Sequence, residues 1–309
     1  MAETVFNTNP TVLRALSSLQ THTNALENSL ERIASGKRIN SAADDPTGLS
    51  LSSKLTSQVR KQMVSLQNAQ DGISLLQVTE GALGNIGDSL LRIRELTVQM
   101  ASDTNSQTQR NVMAQEVRNL IDNIDRTAQV SKFNGVSLLD GSANGILIQV
   151  GPQSSLASNT IDLTPALASV RVDAGDVNGG LGLIDSSVAA SATFASLDAL
   201  FDPATGSSSG FVNTDAARNF MADIDGAILQ LNNQRALIGT LQNQLETTIS
   251  NLSFSNENLQ ASNSRILDLD VAAESSRMIQ AQILQQAAAT ILTQANQTPD
   301  LINALLQNR

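Results

Sequence analysis

Few side chains in this sequence could perform covalent or acid–base chemistry. The 309 residues include no cysteine and one histidine, so thiolate chemistry is excluded and a Ser-His-Asp triad would have a single candidate base, His22. His22 stands between Thr21 and Thr23 with no acidic side chain beside it, which is typical of a packed or surface histidine. We therefore expect no catalytic residue and no enzyme activity.

Two short stretches contain the residue types of ligand-binding loops. Residues 179–182 are rich in glycine, but they do not open a patterned helix, which argues against a phosphate-binding loop. Asp173, Asp176 and Asn178 are spaced loosely like calcium ligands, but the glutamate that closes such a loop is missing, and turn formation is the better interpretation. We expect no metal ion and no cofactor.

Charge and composition exclude further classes of function. Nineteen basic and 29 acidic side chains give a net charge of −10, whereas a nucleic-acid-binding face is basic. Aromatic residues are 2% of the chain, although enzyme pockets are usually lined with them. No run approaches the roughly 18 apolar residues of a membrane span, and the first residues lack the pattern of a Sec signal. We expect neither nucleic-acid binding nor membrane insertion.

The clearest patterns are those of long helices. Apolar residues recur at intervals of seven and predict a helix over residues 214–267: Ile224, Leu231, Ile238, Leu245, Leu252, Leu259 and Ile266. A second seam predicts a helix over residues 11–35: Leu16, Leu19, Thr23, Leu26, Leu30 and Ile33. Further apolar stripes predict helices over 47–101, around 113–128 and over 271–308, the last interrupted near Pro299.

Glycine, aspartate and proline mark the ends of the first two helices. Gly36 suits the left-handed position that ends a helix. Asp45 is predicted to cap the next helix, with Pro46 in its first position. Four glycines between residues 72 and 87 each lower helix stability by about 1 kcal/mol relative to alanine. We therefore expect close contacts between helices at these glycines: Gly72, Gly81, Gly84 and Gly87.

The middle of the chain contains short strands joined by turns. Asn134 with Gly135 is a typical turn dipeptide, and residues 146–150 and 160–163 have the composition of strands. Long helical patterns lie on both sides of this segment. The predicted fold is therefore mainly α: a long antiparallel coiled coil or helix bundle formed by the N- and C-terminal halves, with a small β-hairpin segment in the middle.

The last helix is apolar on more than one side. One partner helix cannot cover so wide a face, which indicates contacts with helices of other copies. Its polar positions are mostly uncharged, so they can be buried without stranding a charge, although an unusual composition is the alternative explanation. Asp268, Asp270 and Glu274 at its start suit capping and subunit contacts. We favour self-assembly, and a repeated contact that does not close gives a filament.

Several blocks of the sequence resemble bacterial flagellins. The longest is ASGKRINSAADDPTGL at residues 34–49, and shorter blocks follow in the family's order at 94–99, 133–135, 235–239, 264–270, 282–287 and 294–297. The resemblance covers the chain from the first helix to near its end, apart from about residues 170–212. It implies a short-form subunit of the flagellar filament, exported through the flagellar type III channel and located outside the cell.

The resemblance also implies a plan of domains. Residues 1–44 with 268–309 would form a terminal coiled-coil domain in the inner core of the filament, 45–180 with 213–267 a core domain in the outer tube, and 181–212 a short variable insert. Apolar residues of both terminal helices would carry polymerisation: Leu16, Leu19, Leu26, Leu30, Ile33, Met278, Ile283, Leu284, Ala288, Ile291 and Leu292. The linker between the two domains would use Arg38, Asn40, Asp44 and Asp45.

Partners are likewise implied by the resemblance. They are other copies of the chain, the hook-associated junction and cap proteins, an export chaperone and a host Toll-like receptor. The receptor patch would contain Arg92, Leu96 and Glu116, weakened because Leu91 replaces a glutamine of the stimulatory pattern. Residues 207–209 form a polar loop or a glycosylation site. A hook–filament junction protein and a secreted coiled-coil adhesin are the alternative functions.

Overall fold

Five long α-helices dominate the protein. The computed structural model describes residues 10–143, 145–153, 159–167 and 214–307. The helices are α1 Pro10–Ser35, α2 Pro46–Met100, α3 Gln107–Val130, α4 Thr214–Leu267 and α5 Val271–Gln307. The predicted mainly α fold is therefore confirmed. The interpretations of residues 173–178, 179–182, 181–212 and 207–209 concern stretches that lie outside the described residues.

The ends of α1 and α2 follow the local sequence. Gly36 comes directly after α1 with a φ of 67°, the left-handed conformation predicted for it. The Oδ1 atom of Asp45 accepts the main-chain N–H groups of Thr47 at 3.0 Å and of Gly48 at 2.9 Å, and so caps α2. Pro46 takes the first helical position, where its missing N–H group is not needed.

Two features of the other helices differ from the prediction or go beyond it. The hydroxyl of Ser106 accepts the N–H of Gln109, whose side-chain oxygen accepts the N–H of Ser106 at 2.9 Å, which forms a capping box at the start of α3. The predicted break near Pro299 is wrong, because α5 continues to Gln307. A proline removes one main-chain donor from a helix, but the helical backbone continues past Pro299.

The middle of the chain forms two antiparallel strand pairs. The strands are β1 Lys132–Phe133, β2 Val136–Ser137, β3 Leu147–Gln149 and β4 Thr160–Asp162, followed by a short 3₁₀ helix at Thr164–Leu167. Asn134 and Gly135 join β1 to β2 with φ values of 49° and 84°, the two left-handed positions of a tight hairpin turn. In the other pair Ile148 of β3 lies opposite Ile161 of β4.

By packing, the chain divides into two compact units, of which one contains Lys61–Ser255. This unit holds the hydrophobic core, built from α2, α3, α4 and the strand pairs. Four residues of the predicted seven-residue repeat on α4 lie in the core and are at most 2% exposed: Ile224, Leu231, Ile238 and Leu245. The repeat therefore gave both the helix and its buried face correctly.

Ion pairs at the edges of this core show the relative direction of two of its helices. Arg235 of α4 binds Glu80 of α2 at 2.8 Å, and Asp225 of α4 binds Arg94 of α2 at 2.6 Å. The residue number falls along α4 as it rises along α2, so the two helices are antiparallel. These pairs are exposed and contribute little to stability, roughly 0–1 kcal/mol each.

The other unit contains Met1–Arg60 with Asn256–Arg309, and several polar contacts join its helices. Here α1 pairs antiparallel with α5: Ser29 donates to Glu274 at 2.8 Å, and Gln285 donates to Thr23 at 2.9 Å. Where the start of α2 meets the end of α4, buried Ser52 donates to Asn263 at 2.7 Å. None of the described helices is long and apolar enough to cross a membrane.

Only two of the four α2 glycines that were expected at close contacts between helices lie at such contacts. A Cβ atom on Gly72 would lie 3.3 Å from Leu245, and one on Gly87 would lie 3.1 Å from Leu231. Around Gly81 and Gly84 nothing lies within 4 Å. The expected close helix contacts at Gly81 and Gly84 are therefore not present within a single chain.

Two matched substitutions test this difference. We expect Gly84→Ala to raise the free energy of unfolding by roughly 0.5–1 kcal/mol, because alanine is the better helix former and nothing obstructs its methyl group. Gly87→Ala should gain less or lose stability, because Leu231 must move. Urea unfolding of the soluble chain, followed by circular dichroism at the helix band, gives both values. Equal gains would show that Gly87 is not at a close contact.

Candidate assembly surface and linker

A narrow seam joins α1 to α5. The most buried residues are Ala15 and Ser29 on α1 and Glu274, Ala281 and Ala288 on α5, all between 2% and 7% exposed. Those on α5 recur at intervals of seven, as in a coiled coil. All five side chains are small or polar. The seam therefore buries little apolar surface, and its hydrophobic stabilisation is correspondingly small.

The predicted polymerisation residues fall into two groups. Those along the seam are partly or fully buried: Leu19, Leu26, Ile33, Met278, Ala288 and Leu292. The others are from 38% to 60% exposed: Leu16, Leu30, Ile283, Leu284 and Ile291. The predicted seam is thus wrong at Leu16 and Leu30, because the smaller neighbours Ala15 and Ser29 occupy the positions facing α5.

The exposed apolar face extends over both helices of this pair. Its further members are Leu13 on α1 and Val271 and Ile279 on α5, each at least half exposed. No residue from 278 to 299 carries a charge. Another protein surface could therefore cover α5 without removing water from an ionised group. Covering the exposed half of each large apolar side chain would contribute about 1 kcal/mol.

Glu274 is the one charged residue buried in the seam, and its side chain is 3% exposed. The hydroxyl of Ser29 donates to it at 2.8 Å, Arg277 binds it at 3.0 Å, and Arg32 lies 4.0 Å away. Asp270 has the capping role expected for this region, because it accepts the N–H groups of residues 272 and 273. Sequence reasoning placed Glu274 with the capping residues and missed its buried ion pairs.

The two linkers of this unit, residues 36–45 and 268–270, are joined through the main chain. The N–H of Arg38 donates to the carbonyl of Leu267 at 2.6 Å, and the guanidinium of Arg38 donates to that of Ile266 at 2.8 Å. The N–H of Leu269 donates to the carbonyl of Gly36 at 3.1 Å. Arg38 therefore satisfies carbonyl groups that the end of α4 leaves open.

Asp44 organises the first linker. Its carboxylate accepts the N–H groups of Ser41 at 3.0 Å and of Asn40 at 3.1 Å, and the guanidinium of Arg32 at 3.2 Å. These hydrogen bonds, with the two main-chain donors contributing most, lower the pKa of Asp44 to about 2. Arg32 thus lies between the linker carboxylate and Glu274, so one side chain contacts both.

The predicted receptor patch does not form as a surface of three residues. Arg92 binds Glu116 at 2.8 Å and Glu95 at 3.1 Å, and its pKa is raised mainly by its hydrogen bond to Glu116. Arg92 and Glu116 are each nearly half exposed, but Leu96 is 2% exposed and lies in the core. The surface placement of Leu96 is therefore wrong, because this position of α2 faces inward. Leu91 is 52% exposed beside the ion pair.

Family comparisons match both halves of the chain. Residues 6–144 match the bacterial flagellin N-terminal helical region, and residues 221–306 match the bacterial flagellin C-terminal helical region. A flagellin of Bacillus subtilis is 37% identical, with 97% of this chain and 99% of that protein aligned. Polar flagellin F of Vibrio parahaemolyticus is 33% identical, with 99% and 100% aligned.

A solved structure shares the fold at much lower identity. It is a flagellar hook-associated protein from Vibrio parahaemolyticus, with a TM-score of 0.54 and 14% identity. The superposition covers 73% of this chain and 100% of the other. At this identity the likeness shows a shared helical fold alone.

The pKa of Asp44 makes the first linker sensitive to acid. Because the folded value of about 2 lies below the ordinary value of 3.8, its stabilising contribution is complete above the ordinary value and is lost as the pH falls toward the folded one. We expect Asp44→Asn to speed amide hydrogen exchange of residues 37–45 at neutral pH. At pH about 2 the variant and the parent should approach each other. The control is Asp71→Asn on the exposed face of α2, and a difference that persists undiminished in acid would contradict the assignment.

Proposed function

The chain belongs to the bacterial flagellin family, and on this premise we propose that it polymerises by burying the exposed apolar faces of α1 and α5 against other copies. Flagellins are structural subunits of the flagellar filament, so this chain is a filament subunit outside the cell and not an enzyme. The observation that supports this route of assembly is the set of large apolar side chains that the α1·α5 seam leaves exposed.

The two parts of the chain would have different tasks in the filament. Residues 1–44 with 268–309 would form the inner core, since their helices bury little apolar surface by themselves. Residues 45–180 with 213–267 would form the outer tube, and the core around α2, α3 and α4 supports their folding before assembly. Residues 181–212 would be the short surface insert. Arg38, Asn40, Asp44 and Asp45 would fix the path of the chain between α1 and α2.

The nearest alternative function is that of the hook–filament junction. Its support is the fold shared with a hook-associated protein at 14% identity. Against it stand the two flagellin regions and the relatives named flagellin, which align over nearly the whole chain at 33% and 37% identity. Filament formation is therefore the function we favour.

Export and capping would involve other proteins. Passage through the flagellar type III channel fits a cysteine-free chain, because no disulfide has to form before or after export. An export chaperone would cover the exposed apolar residues of α5 until assembly, since such faces invite aggregation. The junction and cap proteins would meet the ends of the filament.

A host Toll-like receptor is a further proposed partner. Arg92 and Glu116 present an exposed ion pair that a receptor could contact, with Leu91 at its edge. Leu96 would act only through its support of α2 from within the core. Recognition would therefore rest on two charged side chains.

Assembly can be tested by substitutions on the exposed apolar face. We expect the double variant Leu16→Ser with Ile283→Ser to slow seeded elongation at least about tenfold, because two apolar contacts of roughly 1 kcal/mol each are lost at every subunit. The matched control is Leu229→Ser on α4, which removes a side chain that is 66% exposed. Electron microscopy of chains added to sheared filament seeds measures the elongation.

The outcome separates assembly through α1 and α5 from assembly elsewhere. Slow elongation of the double variant with normal elongation of the control supports the proposal. Equal elongation of all three proteins would refute it. Circular dichroism of the soluble chains should be unchanged, because none of the replaced side chains belongs to the core.

The receptor contact has its own test in reporter cells. We expect Arg92→Ala and Glu116→Ala each to lower the response several-fold, because either change removes one of the two exposed charged side chains that the receptor would contact. Arg94→Ala is the control, since it removes an exposed arginine of the same helix that binds Asp225 instead. Identical responses from the parent chain and all variants would show that a Toll-like receptor does not recognise Arg92 and Glu116.

A further inference from the structure

The small residues of the α1·α5 seam do not determine how far the two helices slide along each other. Ser29 and Glu274 are hydrogen-bonded, and steps of seven residues in opposite directions bring His22 opposite Ala281 and Ala15 opposite Ala288. A shift of one heptad would put Ala281 opposite Ala15 in place of Ala288. The small side chains would fit equally well in either arrangement.

The same shift would exchange some large apolar pairs and remove others. In the native register the heptad spacing brings Leu19 opposite Gln285, and after the shift it would bring Leu19 opposite Met278. By the same spacing Ile33 would lose Val271 and come opposite residue 264, before α5 begins, so the shifted seam would bury less apolar surface than the native one. Apolar packing therefore favours the native register, although Ala15, Leu19 and Leu26 would each still meet an apolar residue after the shift.

Glu274 does distinguish the two registers. Its carboxylate is buried, and two of its partners, Ser29 and Arg32, belong to α1. Arg277 lies one turn further along α5 and would move with Glu274. A shift would therefore take a buried carboxylate away from both α1 partners and bring it opposite His22. We propose that Glu274 sets the register of α1 against α5 and thereby the pairing needed for polymerisation, an inference that rests on the proposed function.

The linker hydrogen bonds favour the same register but are more easily replaced. Gly36 and Arg38 are exposed, so water can take over the hydrogen bonds that they make to residues 267 and 269. Water cannot reach the carboxylate of Glu274 in the same way, because its side chain is 3% exposed. Burial therefore gives Glu274 the larger influence on register.

The absence of native cysteine allows the register to be measured directly. The pair Ala15→Cys with Ala288→Cys reports the native register, and the pair Ala15→Cys with Ala281→Cys reports the register shifted by one heptad. Filaments of full-length chains are oxidised at pH 8 and dissolved, and the internally cross-linked chains are quantified by their mobility on denaturing gels. With Glu274 present we expect the native pair to cross-link about tenfold more than the shifted pair.

Glu274→Gln keeps the shape of the side chain and removes its charge, and we expect it to lower this ratio several-fold. Ser29→Ala should lower it in the same direction, whereas Arg277→Gln is the control and should leave it unchanged. A variant that does not polymerise alone is incorporated as a minority with a cysteine-free parent chain. An unchanged ratio in Glu274→Gln filaments overturns the proposal. Failure of the parent chain to form filaments would count against the proposed function instead.

Discussion

Two paired helices cannot cover all the apolar side chains that α1 and α5 carry, and the rest of the molecule is organised around this constraint. The seam between them uses Ala15, Ala281 and Ala288, so most of the larger residues remain outside it. Further helices are needed to cover these residues. The unit around α2, α3 and α4 also leaves large apolar side chains exposed, among them Met63, Val112 and Phe254, but it has a continuous buried core of its own. The chain therefore combines one self-sufficient unit with one that other copies would complete.

The polar residues of the incomplete unit supply what its small apolar seam lacks. Uncharged side chains along α5 permit burial against a neighbour, while several ionic groups lie close together near the linkers. Arg32 contacts both Asp44 of the linker and Glu274 of α5, and Arg38 completes the end of α4. Ionic and main-chain hydrogen bonds specify geometry more strictly than apolar contacts do. This division leaves hydrophobic burial to drive association and polar contacts to set alignment.

The sequence predicted those elements whose apolar pattern is buried within a single chain or whose ends follow local rules. The seven-residue repeat of α4 runs through the closed core, and Gly36, Asp45 and Pro46 mark helix ends by purely local rules. Prediction failed where one chain does not provide the whole environment. Leu16 and Leu30 belong to an apolar stripe wider than the seam, so their pattern could not show which residues face α5. Family resemblance placed Leu96 in a surface patch, whereas the periodicity of α2 buries it. The role of Glu274 was hidden because its partners Ser29 and Arg32 are remote in sequence.

The most direct test of assembly through α1 and α5 is an electron cryomicroscopy reconstruction of the filament with resolved side chains. The quantity to measure is the solvent exposure of Leu16, Leu30, Ile283 and Ile291, which are between 50% and 60% exposed in the single chain. We predict that all four side chains are buried between neighbouring copies. A filament in which they remain exposed, with copies in contact only through α2, α3 and α4, would contradict this route of assembly.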